Sequence, residues 1–565
     1  MKLHGRIIFL FLLSTVHPLS AGTKTWTGTV NSSWSDSGNW SPSGAPVPGD
    51  DVIFNNAAAR KSITFDLPVG ADLNSLAFSG SGYGIVPTGA PGINLVGGIT
   101  ASNASGTNNT LAVTIRLDAS QTIDVQNANA FLQMGNLGLN TAVTLTVDGA
   151  GTLNLTGTVN LAGSIVKNGT GLMTLSGNNV YSGTTTVNAG VLQASHANAL
   201  GATSAGTTVA SGGSLRLASG ITLAAEPITI SGTGNGGYGA LSGVGAQPAT
   251  ASGPVTLGAN ATVTGEPGTT LTLSGIVSGA HVLTAGTPTV NGTLHLTGSN
   301  THTSSTVAAG TLLVDGSQSS SGVLVASGAT LGGGGTVGDV IVGGGGHVAP
   351  GASPGILSAG TITFASGANY DVELNGTGIG TFDSVLASGA NVQVSGASLS
   401  VSLGFTPSPG NSFNILAKST AGAIVGTFAG LPQGGGLLVN GTELVVSYTG
   451  GVGGNDIILS AVAPLALSIT PGSQSVCAPV NVMLTANATG GTASYSGYQW
   501  YRNGMAIGGA TSSTYNAPQV GSYTVTVTDS AAVTSAQSAP SVLDDATPPS
   551  VTAPGAAAIT QTTCS

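Results

Sequence analysis

The chain has 565 residues, of which 91 are glycine, 41% are hydrophobic and only 5% are charged, whereas roughly a quarter of an ordinary globular domain carries charge. The apolar content excludes a disordered chain, because disordered segments are poor in apolar residues. The net charge of −10, with no lysine or arginine between Arg216 and Lys418, excludes nucleic acid as a partner, because binding to phosphates requires clustered basic side chains.

Residues 1–21 predict a secretory signal peptide. Basic residues precede an apolar segment at 7–16, and Leu19-Ser20-Ala21 is a candidate cleavage site. The apolar segment is too short to span a bilayer, and no later run approaches 18 apolar residues. We therefore expect export to the extracellular space or the outer cell surface, without a transmembrane helix.

Residues 22–60 contain three of the four tryptophans of the chain, Trp26, Trp34 and Trp40. Large aromatic side chains at one end of a stack of β-coils would cover the first exposed coil. Uncovered strand edges of such stacks lead to aggregation. The segment is therefore predicted to be an aromatic N-terminal cap.

Residues 61–462 are predicted to form short strands separated by turns. Apolar residues alternate with threonine or asparagine, as in Val143–Gly149, which is typical of half-buried strands. One phrase occurs twice, at Leu172–Ala194 and Leu294–Val314, with the turn glycines Gly177 and Gly298 121 residues apart. The two copies lie within longer repeats near 165–217 and 281–337.

Each copy of the phrase predicts a strand, a small polar turn and a second strand. Gly177 and Gly298 mark the turns, and Ala-Gly closes the second strand, at Gly190 in one copy and Gly310 in the other. A unit of this kind cannot bury its apolar residues alone, so it must stack on its neighbours. The repeats therefore predict an all-β stack of coils rather than a compact enzyme.

Five segments together resemble bacterial proteins with autotransporter-associated β-strand repeats. They are the tryptophan-rich segment, the two repeated phrases, the connector at 226–243 and the glycine-rich segment at 327–355. The resemblance implies a right-handed parallel β-helix that is exported and often displayed at the cell surface.

Residues 463–542 differ in composition and have the strand spacing of an immunoglobulin-like β-sandwich. Trp500 would be the core residue of the third strand, and Tyr523 the tyrosine of a late strand. The segment resembles the Ig-like or PKD-like modules of bacterial surface proteins. Residues 543–565 are predicted to be a linker and the start of a further, truncated module. A bond between Cys477 and Cys564 requires this tail to fold back, and unpaired cysteines are the alternative.

Three motifs that suggest chemistry are better explained as turns. Gly351–Gly355 matches G-x-S-x-G, but the oxyanion hole of that motif needs the N–H of the residue after Ser353, which is Pro354. Gly232–Gly237 matches a dinucleotide fingerprint but precedes no helix. Gly450–Ile457 resembles one calcium-binding nonapeptide, and a single copy cannot build a site shared between turns.

Asp371 and Glu373 alternate onto the same face of one strand, so a carboxylate pair is conceivable there. Glycosidases need two carboxyl groups beside the scissile bond. No lysine or arginine lies within 40 residues on either side, however, and a lyase needs cations to stabilise an enolate. Solvated edge acids are the simpler interpretation. The histidines beyond the signal lack metal-ligand spacing: His196, His281, His295, His302 and His347.

The sequence thus predicts a non-catalytic surface protein that acts as a stalk, scaffold or adhesin-like contact surface. We expect no catalytic, cofactor or metal site, and glycans or other cell-surface proteins as partners. Two alternatives stay open. The chain could be a polysaccharide-active β-helix lyase or glycosidase that uses Asp371, or it could bind carbohydrate through the Ig-like module.

Overall fold

The computed structural model describes residues 21–546, except 91, 105–106, 141–142, 352 and 478. Almost all of the predicted signal peptide and tail lie outside this range. Within it, the helical elements are two 3-10 turns, Ser37–Asn39 and Asn235–Gly237. No helix of the described part is long and apolar enough to cross a membrane. The chain divides into two compact units, Met1–Thr262 and Val263–Ser565.

The first unit is built from short strands. They are β1 (Thr23–Trp26), β2 (Trp40–Ser41), β3 (Asp51–Phe54), β4 (Ser62–Phe65), β5 (Ala71–Phe78), β6 (Gly84–Pro87), β7 (Gly92–Ala101), β8 (Asn109–Leu111), β9 (Thr114–Leu117), β10 (Gln121–Val125), β11 (Phe131–Met134), β12 (Leu137–Leu139), β13 (Thr144–Asp148), β14 (Thr152–Leu155), β15 (Val159–Leu161), β16 (Ser164–Lys167), β17 (Leu172–Leu175), β18 (Thr185–Val187), β19 (Gly190–Ala194), β20 (Thr207–Val209), β21 (Gly213–Leu217), β22 (Thr222–Leu223), β23 (Ile228–Gly232), β24 (Leu241–Gly243) and β25 (Ala249–Ala251).

The next strand, β26 (Val255–Gly265), contains the boundary between the units. The second unit continues with β27 (Thr270–Leu273), β28 (Val277–Ser278), β29 (Val282–Ala285), β30 (Thr293–Leu296), β31 (Ser304–Val307), β32 (Thr311–Val314), β33 (Ser317–Gln318), β34 (Gly322–Val325), β35 (Thr330–Gly333), β36 (Thr336–Val337), β37 (Val340–Val342), β38 (His347–Pro350), β39 (Ile356–Ala359), β40 (Ile362–Phe364), β41 (Asn369–Leu374), β42 (Ser384–Ala387), β43 (Val392–Gln393), β44 (Ser398–Leu403), β45 (Ser412–Lys418), β46 (Gly436–Val439), β47 (Thr442–Gly450) and β48 (Asp456–Ala461).

Eight further strands follow in the same unit. They are β49 (Ala466–Thr470), β50 (Gln474–Val476), β51 (Val482–Thr489), β52 (Ser496–Arg502), β53 (Met505–Ala506), β54 (Thr514–Ala517), β55 (Gly521–Thr528) and β56 (Ser541–Asp545).

Parallel pairing in the first unit places equivalent residues of successive coils directly above one another. Leu153, Met173, Leu192, Leu215 and Leu241 form one such ladder. Each of these side chains is at most 1% exposed. Burying one side chain of this size is worth roughly 1.5–3 kcal/mol, so each coil is stabilised by the coils on either side of it.

The second unit contains an equivalent ladder of Leu271, Leu294, Leu312, Leu331 and Val348. Neighbours in this ladder are 23, 18, 19 and 17 residues apart along the chain. The alternate residues of the same strands face outward. The prediction of an all-β stack of coils is therefore confirmed, because each unit contains a parallel β-solenoid.

The parallel arrangement ends at β45. That strand pairs in parallel with β42 but antiparallel with β48, and β47 pairs antiparallel with both β46 and β48. The following strands form a three-stranded sheet, β49-β51-β54, and a five-stranded sheet, β50-β56-β55-β52-β53. Their shared core contains Trp500 and Tyr523, both 0% exposed. Cys477, beside β50, is disulfide-bonded, whereas Cys564 lies outside the described residues.

The three N-terminal tryptophans form one buried aromatic cluster at the start of the first unit. The ring centroid of Trp40 lies 5.0 Å from that of Trp26 and 4.9 Å from that of Trp34. Trp34 also packs edge-on against Phe65, at 5.1 Å. The Trp26 indole N–H donates to the Arg60 carbonyl oxygen (2.7 Å). The cluster therefore ties β1 and the loop after it to the first stacked strands.

Candidate functional site

An open groove of about 460 Å³ lies on the outward face of the second solenoid. The sheet beneath it is formed by β32, β35, β38, β41 and β44, which pair in parallel. The groove is lined by residues of these strands and two adjacent loops: Thr311, Leu313, Thr330, Gly332, Ala349, Pro350, Gly351, Ser353, Asp371, Val372, Glu373, Asp383, Ser400 and Ser402.

The groove exists because small residues occupy consecutive outward positions. Gly332 aligns with Leu313 on one side and with Ala349 on the other. A Cβ atom added to Gly332 would lie 2.8 Å from the Ala349 carbonyl oxygen. On β44, the residues that align with the two acids of β41 are serines. These positions leave space beside the two carboxylates.

A histidine and an aspartate form a hydrogen-bonded pair beside this groove. His347 Nδ1 lies 2.7 Å from Asp371 Oδ2, and both side chains are about one-third exposed (37% and 34%). His347 aligns with Asn369, two residues before Asp371. The pair is therefore a contact between neighbouring coils, formed by residues that are 24 positions apart.

Ser353 belongs to the sequence motif G-x-S-x-G, and it lines the same groove. Its hydroxyl group donates a hydrogen bond to Glu373 Oε2. Its backbone adopts φ = 80°, a conformation that non-glycine residues rarely adopt. The structure thus brings Ser353, His347, Asp371 and Glu373 to one surface as two separate pairs. In this arrangement the histidine is bonded to an aspartate, whereas the serine is bonded to a glutamate.

Asp383 is a third acid of the groove, and it is buried with 2% exposure. Its two carboxylate oxygens accept backbone hydrogen bonds from Gly355 (2.8 Å) and from Glu373 (2.9 Å). Burial raises the pKa of Asp383 to about 6; the two backbone hydrogen bonds oppose the shift, and the negative charge of Glu373 adds to it. A carboxyl group that holds its proton below a pH of about 6 therefore lies beside a second carboxyl group.

Two carboxyl groups in unlike environments can serve as a general acid and a general base. Asp371 and Glu373 were the acids that the sequence singled out, and both line the groove. Asp383 was missed, because it lies beyond a loop and joins the site only through backbone contacts. Among the described residues, no group of three or more histidine, cysteine or acidic side chains is arranged to hold a metal ion.

In the segment that resembles a calcium-binding nonapeptide, the Asp456 carboxylate accepts hydrogen bonds from the protein itself. Asp456 Oδ2 accepts from Asn414 Nδ2 (2.7 Å), and its Oδ1 accepts from the backbone N–H of Lys418 (2.9 Å). The Asp456 carboxylate therefore joins β48 to β45, which is a structural role.

The two repeated phrases place an asparagine at the same point of the turn. Asn179 Oδ1 accepts from the backbone N–H of Val159 (2.8 Å), and Asn300 Oδ1 accepts from that of Val277 (2.9 Å). Both asparagines are buried, at 1% and 4% exposure. The sequence drew attention to the neighbouring glycines, and these asparagines were missed, although both follow the turn glycine by two positions.

The glycines of the phrases lie where a side chain would collide with a neighbouring coil. A Cβ atom on Gly177 would overlap the Gly157 carbonyl oxygen, and one on Gly298 would overlap that of Gly275. At the second pair of positions, Gly190 and Gly310, the backbone has φ values of 66° and 68°.

Comparison with protein families identifies the repeated segments. Residues 165–194 and 291–314 match the passenger-associated transport repeat, and each matched range contains the whole of one phrase. The chain matches no curated protein. The two matched repeats and the parallel β-solenoids make this chain similar to autotransporter passenger-like repeat proteins.

Proposed function

We propose that the chain is an exported protein of the cell surface or extracellular space that acts as a stalk or scaffold with an adhesin-like contact surface. The ladder of buried residues in each unit is the observation that carries this proposal. Coils that support one another in register form a stable surface without disulfides or metals. We also propose the right-handed coil that is usual for passengers of this type.

Two segments are proposed to complete the stalk. The cluster of Trp26, Trp34 and Trp40 would cap the first coil. The two C-terminal sheets would form an Ig-like module. Its support is the core of Trp500 and Tyr523, together with the hydrogen bond from the Tyr523 hydroxyl group to the Gln519 carbonyl oxygen (2.7 Å), which resembles a tyrosine corner.

Surface location is tested on intact cells that produce the full chain. External protease is expected to remove the chain while a cytosolic marker stays intact, and the mature protein is expected to lack residues 1–21. A chain that stays protected until the cells are lysed, and that retains this segment, would contradict the proposal.

The contact function is tested with the purified full chain on glycan arrays and on immobilised cell-surface proteins. We expect saturable binding to at least one class of these molecules, with the bound molecule recovered chemically unchanged. Failure to bind either class would contradict an adhesin-like role, and cleavage of a bound glycan would contradict a non-catalytic one.

A second candidate function is glycan cleavage in the groove of the second unit. Its support is the pairing of the buried Asp383, which holds a proton up to a pH of about 6, with Glu373 next to it. A protonated carboxyl group could donate to a glycosidic oxygen while a carboxylate serves as base or nucleophile.

This candidate is tested by measuring the release of reducing ends from a panel of polysaccharides. Activity that is lost in both Asp383→Asn and Glu373→Gln would support cleavage in the groove. The matched control is Asp315→Asn, because Asp315 lies outside the groove and pairs with His295 on the same unit (2.7 Å). The candidate is rejected if the wild-type chain releases no reducing ends, or if all three variants are equally active.

A further inference from the structure

A pair of buried acids lies where the last hairpin of the second solenoid meets the C-terminal sheets. Glu443 is on β47 and is 1% exposed, and Asp529 directly follows β55 and is 2% exposed. The two side chains are close enough to influence each other electrostatically, because each carboxyl group contributes to the pKa shift of the other. A backbone hydrogen bond from the Gly436 N–H to the Ala531 carbonyl oxygen (2.8 Å) also joins β46 to the segment that follows β55.

The Asp529 carboxylate is fully supplied with hydrogen-bond donors. One oxygen accepts from the backbone N–H and the hydroxyl group of Thr492 (2.7 and 2.9 Å). The other accepts from the backbone N–H groups of Ala531 and Val533 (both 3.0 Å). Burial disfavours the charge of Asp529, but these bonds outweigh burial and lower its pKa. Asp529 is therefore the ionised member of the pair.

Glu443 is in the opposite situation. Both of its carboxyl oxygens are buried, and neither accepts a hydrogen bond from a donor of the protein. An ionised carboxylate in such a place would be very costly. Burial and the neighbouring Asp529 raise the pKa of Glu443 to about 7. When Glu443 is protonated, it carries no charge, and its O–H group can donate a hydrogen bond to the Asp529 carboxylate.

Few other titratable groups face the pair. β46 and the segments 462–465 and 530–536 carry none. On the segment 489–495, the Tyr495 hydroxyl group donates to the Gly490 carbonyl oxygen (2.7 Å). On the hairpin itself, Tyr448 lies near the far end of β47, and Asp456 of β48 aligns with Gly450 at that same end. No basic side chain in these segments neutralises Glu443.

We propose that Glu443 and Asp529 share one proton and thereby lock the C-terminal sheets onto the last hairpin of the solenoid, so that alkalinisation loosens this junction. Protons can reach the site, because Glu443 lines a small open cavity of about 200 Å³ together with Leu438, Pro464 and Val533. The proposal is independent of the function proposed above.

The sign of the pH dependence follows from the direction of the Glu443 shift. The folded junction holds a proton that the unfolded chain releases, so stability is fully present below the ordinary pKa of 4.5 and falls as the pH rises towards about 7. Above a pH of about 7, the stability contributed by the Glu443 proton is lost completely. The opposite shift of Asp529 acts only in strong acid, below its ordinary pKa of 3.8.

The test uses the full chain at pH 5 and pH 8, with hydrogen exchange of the Gly436 and Val533 amides as the readout. We expect exchange at both amides to be at least tenfold faster at pH 8, after correction for intrinsic exchange rates. In Glu443→Gln this difference should disappear, because the amide group donates to Asp529 at every pH. Asp315→Asn, remote from the junction, should keep the wild-type difference.

Infrared difference spectroscopy reads the proton directly and does not depend on the behaviour of a variant. The protonated carboxyl band of the wild-type chain at pH 6 should lose intensity in Glu443→Gln, and the band that remains should include Asp383, whose pKa is also about 6. Equal amide exchange at both pH values, or a pH effect that persists in Glu443→Gln, would overturn the proposal. So would calcium-dependent protection at pH 8 that requires Glu443, because the two acids would then be cation ligands.

Discussion

Asn179 and Asn300 occupy the same position in the two repeats, and each accepts a hydrogen bond from the backbone N–H of a residue in the preceding coil. The partners, Val159 and Val277, begin short strands and have buried side chains. The asparagine therefore continues the hydrogen bonding between coils at a point where the chain turns. In this chain, the two matched repeats share this contact in addition to their apolar alternation.

Replacing Asn179 with alanine is expected to destabilise the first unit by about 1–3 kcal/mol, because the Val159 N–H loses its acceptor in a buried place. The measurement is hydrogen exchange at the Val159 amide, together with chemical denaturation. Asn178→Ala is the matched control, since this neighbouring asparagine is exposed. Slow exchange at Val159 in Asn179→Ala, equal to that of wild type, would contradict the assigned role.

His302 is expected to make the second unit sensitive to acid. Its Nε2 lies 2.8 Å from Ser305 Oγ in a buried site, and burial lowers the pKa of His302 to about 4 from the usual 6.5. The folded state thus excludes a proton that the unfolded chain accepts. Stability should therefore fall by up to about 3 kcal/mol as the pH drops from 6.5 to 4.

The check is local hydrogen exchange at the amides of β31 across this pH range. In His302→Gln the acid sensitivity should vanish, because glutamine stays neutral and can still donate to Ser305. His281→Gln should leave it unchanged, because His281 is only half-buried. Acid sensitivity of the same size in His302→Gln and in wild type would show that another group is responsible.

Part of this architecture could be predicted from the sequence, and the rest could not. Alternation within the phrase from Leu172 to Ala194 predicts which side chains are buried, and Met173 and Leu175 are both 0% exposed. Such alternation depends only on neighbouring residues of the chain. The approach of His347 to Asp371 depends on the register between coils, and the spacing of stacked residues varies from 17 to 23 in the same unit.

The junction of Glu443 and Asp529 was equally hidden in the sequence. The two acids belong to segments that the sequence predicts to be separate domains, and no periodicity relates them. Their contact depends on how the last hairpin meets the C-terminal sheets, which is a tertiary arrangement. Both acids are buried, although no pattern in the sequence distinguishes them from solvated ones.

Gly310 is expected to tolerate no side chain. Its φ is +68°, and a Cβ atom there would overlap the Asn291 carbonyl oxygen of the neighbouring coil. Gly310→Ala should therefore cost more than the roughly 1–2 kcal/mol of a left-handed backbone alone. Gly328→Ala separates the two effects, because Gly328 has φ +75° and a Cβ atom added there would have no neighbour within 4 Å. Equal losses in denaturant midpoint for the two variants would show that backbone conformation alone matters.

Trp34 is expected to be the most sensitive residue of the N-terminal segment. It is 0% exposed and packs against both Trp40 and Phe65, so Trp34→Ala should cost about 3–5 kcal/mol. Trp34→Phe should cost much less, because the Trp34 indole N–H is buried without a hydrogen-bond partner and its removal offsets part of the lost contact area. Val30→Ala, at a position that is 53% exposed, is the control for the segment.

The same three variants test whether the aromatic cluster protects the first coil. If it does, Trp34→Ala should aggregate in light-scattering measurements at concentrations where Trp34→Phe and Val30→Ala stay monodisperse, because an uncovered strand edge pairs with other chains. A Trp34→Ala chain that is destabilised but stays monodisperse would limit the cluster to packing. Edge protection would then have to come from the backbone pairing of β1 with β2, which joins Thr25 to Ser41 and Trp26 to Trp40.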